Sequence, residues 1–198
     1  RLTGLTNAIM RRLTREGPRR LEATTPADNL PDWLRNSWQQ HYGAPATDAI
    51  MTLAMQPPTL DITPADPQTD WATKLEGRLI NGHTIRRAFD GDPADLPGFK
   101  EGAWWVQDAA AAFPVTLFGD LAGKTVIDLC AAPGGKTAQL IAAGAQVTAV
   151  DSASKRLKTL RGNLSRLGMK AQCVTADGRS FAPAEKVDAV LIDAPCSA

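Results

Sequence analysis

The second half of the chain has a rhythm that few folds can satisfy. Four short apolar runs have the length and composition of β-strands: TVIDLC (125–130), QVTAVD (146–151), AQCVTA (171–176) and VDAVLID (187–193). Helical patterns at 136–143 and 154–167 separate the first three, and the second carries Leu157, Leu160, Leu164 and Leu167 on one stripe. Strands alternating with helices at this spacing form βαβ units around a parallel sheet, so the fold class is α/β. Right-handed crossovers are expected to place helices on both faces. In VDAVLID the four residues 189–192 are all apolar, which predicts a strand buried on both faces. An open edge there would invite pairing, so further strands are expected beyond it, and the 198 residues are expected to be a segment of a longer chain.

The turn after the first strand narrows the ligand class. Cys130, Ala131, Ala132, Pro133, Gly134, Gly135 and Lys136 follow the strand and open a helix, with Asp128 just before them. Small residues there let backbone approach a ligand at the carboxyl end of the strand. The P-loop pattern GxxxxGK[ST] fails, because its first glycine would fall on Cys130 and a proline sits inside the loop. The dinucleotide pattern GxGxxG is absent as well. Asp151 ends the second strand, where an acid suits a ribose hydroxyl pair. Asp177 follows the third strand and is placed to meet an exocyclic amine. Any one of these acids reads equally well as a helix cap or loop residue; acids at successive strand tips shift the weight toward an adenosine. With nothing to track a polyphosphate, S-adenosylmethionine is the expected cofactor.

The fourth strand runs into Asp193-Ala194-Pro195-Cys196-Ser197-Ala198. Proline stops the ladder and turns the next residues across the strand tips. A lone cysteine is commonly a buried structural residue. Beside a cofactor, a thiol can instead attack carbon 6 of a pyrimidine, making carbon 5 nucleophilic toward an electrophilic methyl. Asp193 is placed to hydrogen-bond the ring edge of a cytosine during that attack.

The first half is of a different kind. Leu5, Ile9, Met10 and Leu13 predict an amphipathic helix over 3–16, ending before Gly17-Pro18. A second helix is expected after Pro31, with Trp33, Leu34 and Trp38 on one face, and a third over 46–55. Four prolines in 56–70 read as an extended linker, and 71–100 as a small mixed α/β piece. With 22 Lys+Arg against 21 Asp+Glu, the net charge of +1 excludes a coat that grips nucleic acid by charge alone. The total hides segregation: residues 1–20 hold six arginines and one glutamate. Cysteines at 130, 173 and 196 with no CxxC argue against a disulfide scaffold or a zinc site and for a reducing cytoplasm; no metal is expected. No apolar run reaches the ~18 residues of a membrane helix.

The sequence resembles the RsmB/Fmu (Sun) family of ribosomal RNA cytosine carbon-5 methyltransferases. The resemblance is carried by VIDLCAAPGGKT (126–137), Asp151, Arg156-Leu157, Asn163-Leu164, Arg166 to Met169, Asp177-Gly178-Arg179, Asp193 to Ala198, and LPGFKEGAWWVQDAAA (96–111) with Gln107-Asp108. It implies a Rossmann-like S-adenosylmethionine methyltransferase sheet whose cofactor is held by Cys130 to Lys136, Asp151, Asp177 and Asp193. It implies ribosomal RNA as substrate, a monomer as the working form, and a covalent cysteine adduct. In the family Cys196 assists product release, and the nucleophile lies in a later Thr-Cys motif. Two alternatives stay open: Cys196 is itself the nucleophile, or the protein is a non-catalytic RNA-binding or assembly relative. The resemblance divides the chain into the last helices of a NusB-like domain (1–56), a small RNA-recognition and connecting module (57–112) and the front half of the methyltransferase domain (113–198). One departure stands out: Asp61-Ile62-Thr63 replaces the family's Arg-x-Asn.

Overall fold

Apolar residues at helical spacing produce α1 (Leu2–Glu22), α2 (Asp32–Tyr42) and α3 (Ala44–Ala54) in the computed structural model, which describes residues 2–195. α1 does not stop before Gly17-Pro18 as expected, but runs through Pro18. A proline removes one amide donor, and here one ion pair spans it, Glu16 with Arg20 at 3.4 Å, while Arg12 holds Glu16 from the preceding turn at 3.0 Å. α2 and α3 pack on each other and bury Thr47 and Met51. These helices belong to one compact unit, Arg1–Pro57; Pro58–Ala198 form a second.

The second unit holds two four-stranded sheets. The stretch expected to be a linker contains β1 (Leu60–Pro64), the centre of an antiparallel sheet with β2 (Arg78–Ile80), β3 (Thr84–Arg87) and β4 (Trp104–Val106), in the order β2-β3-β1-β4. The prolines flank β1 and end it, where no ladder donor is lost. Ile62, Leu75, Ile85 and Trp104 form the core of this module.

The second sheet is parallel and is formed by β5 (Thr125–Leu129), β6 (Gln146–Asp151), β7 (Gln172–Thr175) and β8 (Ala189–Ile192), in the order β7-β6-β5-β8. α5 (Ala109–Thr116) precedes it; α6 (Gly135–Ala142) joins β5 to β6, and α7 (Ser154–Arg166) joins β6 to β7. Among the described residues both crossover helices lie on one face of the sheet. Leu140 of α6 packs with Val126 and Val147, while Leu157 and Leu160 of α7 pack with Ala149. The register pairs Val126 with Val147 and Asp128 with Ala149, so all of these strand residues lie on one face. The reason is directional: β5, β6 and β7 advance one way across the sheet, and two right-handed crossovers in one direction fall on one side. Only the return to β8 crosses the other face, and its connection, 181–187, lines a groove with Ile127, Thr148 and Val174.

Among the described residues β8 is the last strand on its side of the sheet. Leu191 is buried, but Val190 and Ile192 are 45% and 66% exposed, because they point to the face that no helix covers. Among the described residues no helix is long and apolar enough to cross a membrane.

The two sheets are fastened through named contacts. Trp105 packs with Leu157 and Leu160 in the core beneath α7. Arg166, at the end of α7, donates to the carbonyls of Phe99 (2.6 Å) and Trp104 (3.1 Å) and lies over the Phe99 ring.

Candidate functional site

Parallel strands bring their carboxyl ends to one edge of the sheet, and the loops there carry most of the expected site residues. After β5 the chain turns sharply: Cys130 takes φ 62° and Gly134 φ 104° before α6 begins at Gly135. Gly134 is constrained twice, since a β carbon there would also stand 2.9 Å from Leu160 Cγ. The loop is pinned on three sides. Ala131 N–H donates to the Val150 carbonyl (3.1 Å), Asn163 Nδ2 donates to the Pro133 carbonyl (2.9 Å), and Ala138 N–H donates to Gly134 O (2.8 Å).

The acids differ in what they do. Asp151 is buried at the tip of β6; one oxygen accepts the Ala132 N–H (3.3 Å), the other accepts the Ala153 N–H (2.9 Å) and meets Arg156 (2.9 Å). It therefore joins the glycine loop to the start of α7. Asp193, after β8, is half exposed and accepts from Lys136 Nζ at 2.7 Å, linking the fourth strand tip to the first turn of α6. Asp177 is not drawn to the loop. It pairs with Arg179 at 2.6 Å, and that guanidinium with the Arg179 amide holds its carboxyl down to about 2. Cys196 lies outside the described residues.

A further acid stands two residues before the loop. Asp128 is fully buried near the end of β5. Thr137 Oγ1 donates to one carboxylate oxygen at 2.6 Å; the other has no hydrogen-bond partner among the described residues. Burial pushes its carboxyl up to about 6; the Thr137 hydroxyl and then Lys136 oppose this, and Asp193 adds to it. The signal available in the sequence was an acid inside an otherwise apolar strand, TVIDLC.

Asp61, where the family resemblance leads one to expect an arginine, makes a structural contact. Its carboxylate takes Arg86 Nε and Nη2, both at 2.7 Å, and the Ala109 N–H at 2.9 Å. Arg86 is its cross-strand partner on β3, so the pair lies on the face of the module toward α5. The Arg86 hydrogen bonds hold the Asp61 carboxyl below its usual range. Its stabilisation is thus present at neutral pH and lost as the pH falls below the ordinary value of 3.8. Asp61→Ala leaves Arg86 and an α5 amide without their acceptor. Discounted for the third of Arg86 that is exposed, the expected loss is about 2 kcal/mol by urea unfolding at neutral pH, shrinking in acid. An unchanged midpoint would refute this assignment.

A parallel sheet with a glycine turn at its first tip and acids at successive tips defines a Rossmann-like methyltransferase fold. Residues 116–198 match the family model of the 16S rRNA methyltransferases RsmB/F. A curated relative, ribosomal RNA small subunit methyltransferase B of Enterobacter sp. (strain 638), is 36% identical over 214 aligned positions, covering 100% of this chain and 50% of the relative. Among solved structures, a methyltransferase homolog protein from Pyrococcus horikoshii gives a TM-score of 0.67 at 22% identity, over 85% of this chain and 60% of that one. NSun6 from Pyrococcus horikoshii, solved with SFG, gives 0.71 at 16% identity, over 84% of this chain and 71% of that one. Over residues 116–198 the chain matches the RsmB/F methyltransferase family, and the likeness to the curated relatives runs along its whole length. The chain spans about half the length of the curated relatives it matches.

The family and fold imply S-adenosylmethionine as cofactor, and the residues present suit it. That molecule carries two cationic groups, a sulfonium and an ammonium, and Asp128 offers a buried carboxylate oxygen with no partner among the described residues, beside the glycine turn.

Proposed function

We propose that this protein methylates ribosomal RNA, transferring the methyl group of S-adenosylmethionine to carbon 5 of a cytosine through a covalent cysteine adduct, and that it works as a cytoplasmic monomer. The observation that carries the reading is the glycine turn with the unpartnered Asp128 oxygen, set among strand tips that also present Asp151 and Asp193. The bound cofactor supplies an electrophilic methyl. The protein's part is to hold it with Cys130 to Lys136, Asp151, Asp177 and Asp193, and to present the base beside Asp193. A cysteine thiolate adds to carbon 6, carbon 5 takes the methyl, the carbon 5 proton is removed, and the thiolate leaves as the ring regains aromaticity. Cys196 is assigned to product release, with the role of nucleophile as its alternative. The first 56 residues are assigned to a NusB-like RNA-binding part, 57–112 to a small RNA-recognition and connecting module, and 113–198 to the methyltransferase domain. The basic residues of α1 and the exposed Arg78 of β2 support an RNA-facing role for the first two.

Two measurements test this. Calorimetry with S-adenosylhomocysteine is expected to give binding that Asp151→Asn weakens about tenfold, because Asp151 ties the loop to α7. Deleting the gene is expected to remove 5-methylcytosine from one position of 16S ribosomal RNA, read by mass spectrometry of its fragments. An unchanged 5-methylcytosine content would sink the carbon 5 assignment.

A further inference from the structure

A buried chain of side-chain hydrogen bonds runs from the small module to the helix that follows the glycine turn. Trp105 Nε1–H donates to Gln107 Oε1 at 2.7 Å. Gln107 Nε2 donates to Gln139 Oε1 at 2.9 Å, and Gln139 Nε2 donates to the Ala112 carbonyl at 2.9 Å. Both glutamines are almost wholly buried, at 6% and 9% exposure, so these bonds are made away from water. The chain joins three elements: β4 with its exit, α5 and α6.

Its position matters more than its strength. A β carbon on Gly135 would lie 3.8 Å from Gln107 Cδ and 3.9 Å from Trp105 Cδ1, so both side chains rest against the first residue of α6. Gln139 sits one turn further along the same helix. Apolar packing would hold α6 against α5 equally well, but it is non-directional and leaves rotation about the helix axis loosely set. Two amides in sequence, each accepting one bond and donating one, fix that rotation and the height of the first turn. The backbone of Gly134, Gly135 and Lys136 moves with it.

We propose that Gln107 and Gln139 are positioning residues for the cofactor loop, acting through the first turn of α6 without touching the ligand. This rests on the reading of 130–136 as the S-adenosylmethionine site. The small module then has a second task besides facing RNA: through β4 and Gln107 it holds the cofactor loop in register.

The test is calorimetry with S-adenosylhomocysteine on the 198-residue chain and on Gln107→Met, Gln139→Met and the double variant. Methionine keeps the volume and helix compatibility while removing the directed bonds. Each single variant is expected to raise Kd about tenfold, and the double variant no further, because the two amides act as one chain. Thermal unfolding of the ligand-free proteins separates this from general loosening. Singles that bind like wild type, or losses that multiply to about a hundredfold in the double, would overturn the proposal. A wild-type chain that binds no S-adenosylhomocysteine overturns the cofactor reading instead, and the proposal with it. Should a variant fail to fold, the wild type answers alone: the side-chain amide resonances of Gln107 and Gln139 are expected to shift on saturation with S-adenosylhomocysteine. Resonances that stay put overturn the proposal.

Discussion

Asp128→Asn is expected to lower the affinity for S-adenosylmethionine about a hundredfold, and to remove the part of the ligand-free fold's pH dependence that Asp128 contributes. Both effects come from one buried carboxyl, one oxygen of which has no hydrogen-bond partner among the described residues. In the ligand-free fold the carboxyl is pushed from 3.8 up to about 6, chiefly by burial. A folded-state value above the unfolded one means the fold binds this proton more tightly than the unfolded chain does. The contribution is fully present below 3.8 and is lost as the pH rises through about 6, on the order of 3 kcal/mol in all. The asparagine side chain cannot titrate, so the difference between variant and wild-type unfolding midpoints is expected to change over that window and to level off above it.

Ligand binding reverses the pressure. A cationic group placed against the free oxygen favours the carboxylate, so binding is expected to release a proton and to tighten as the pH rises from about 5 to about 7. Calorimetry in buffers of different ionisation enthalpy counts that proton. An asparagine variant that binds within about threefold of wild type, or a wild-type affinity flat in pH, would remove Asp128 from the site.

The parts of the fold that could be read in the sequence were those whose pattern is local. TVIDLC, QVTAVD, AQCVTA and VDAVLID are the strands β5 to β8, and the stripe Leu157, Leu160 and Leu164 is the buried face of α7. The glycine turn was legible because two glycines, a proline and two alanines between a strand and a helix have few other uses. α5 leaves no helical period in the sequence, because Ala109–Thr116 is nearly uniform, with an internal proline and no polar face. β4 is three residues long, and β1 alternates apolar Ile62 with Asp61 and Thr63 between prolines. What Asp61 does was beyond reach for another reason. Its partner Arg86 stands 25 positions away, and only the register of β1 against β3 brings them together. The same holds for Gln107 and Gln139, separated by 32 positions. Polar pairs of this kind leave no periodic trace; an acid or amide among buried neighbours signals only that some partner exists.

Gly102→Ala is expected to destabilise the protein by about 3 kcal/mol or more, a large loss for a single added methyl group. Gly102 has φ 71°, where an L side chain costs about 1 kcal/mol or more. Its added β carbon would stand only 2.0 Å from the Arg166 carbonyl oxygen and 2.9 Å from both the Arg166 carbonyl carbon and Leu167 Cα. Those are backbone atoms at the end of α7, so no side chain can rotate away; either the helix end or the loop before β4 must move. Gly119 provides the control. It too has φ 71°, but nothing lies within 4 Å of its β carbon, so Gly119→Ala carries the backbone cost alone. The difference between the two unfolding free energies isolates the contact, expected at about 2 kcal/mol. Equal losses at the two positions would mean that the junction yields freely. The site should feel the same displacement. Arg166 donates to the Phe99 and Trp104 carbonyls that flank Gly102, and Trp105 next to them begins the hydrogen-bond chain to α6. A junction forced apart at Gly102 is therefore expected to weaken S-adenosylhomocysteine binding in protein that is still folded, whereas Gly119→Ala leaves that affinity unchanged.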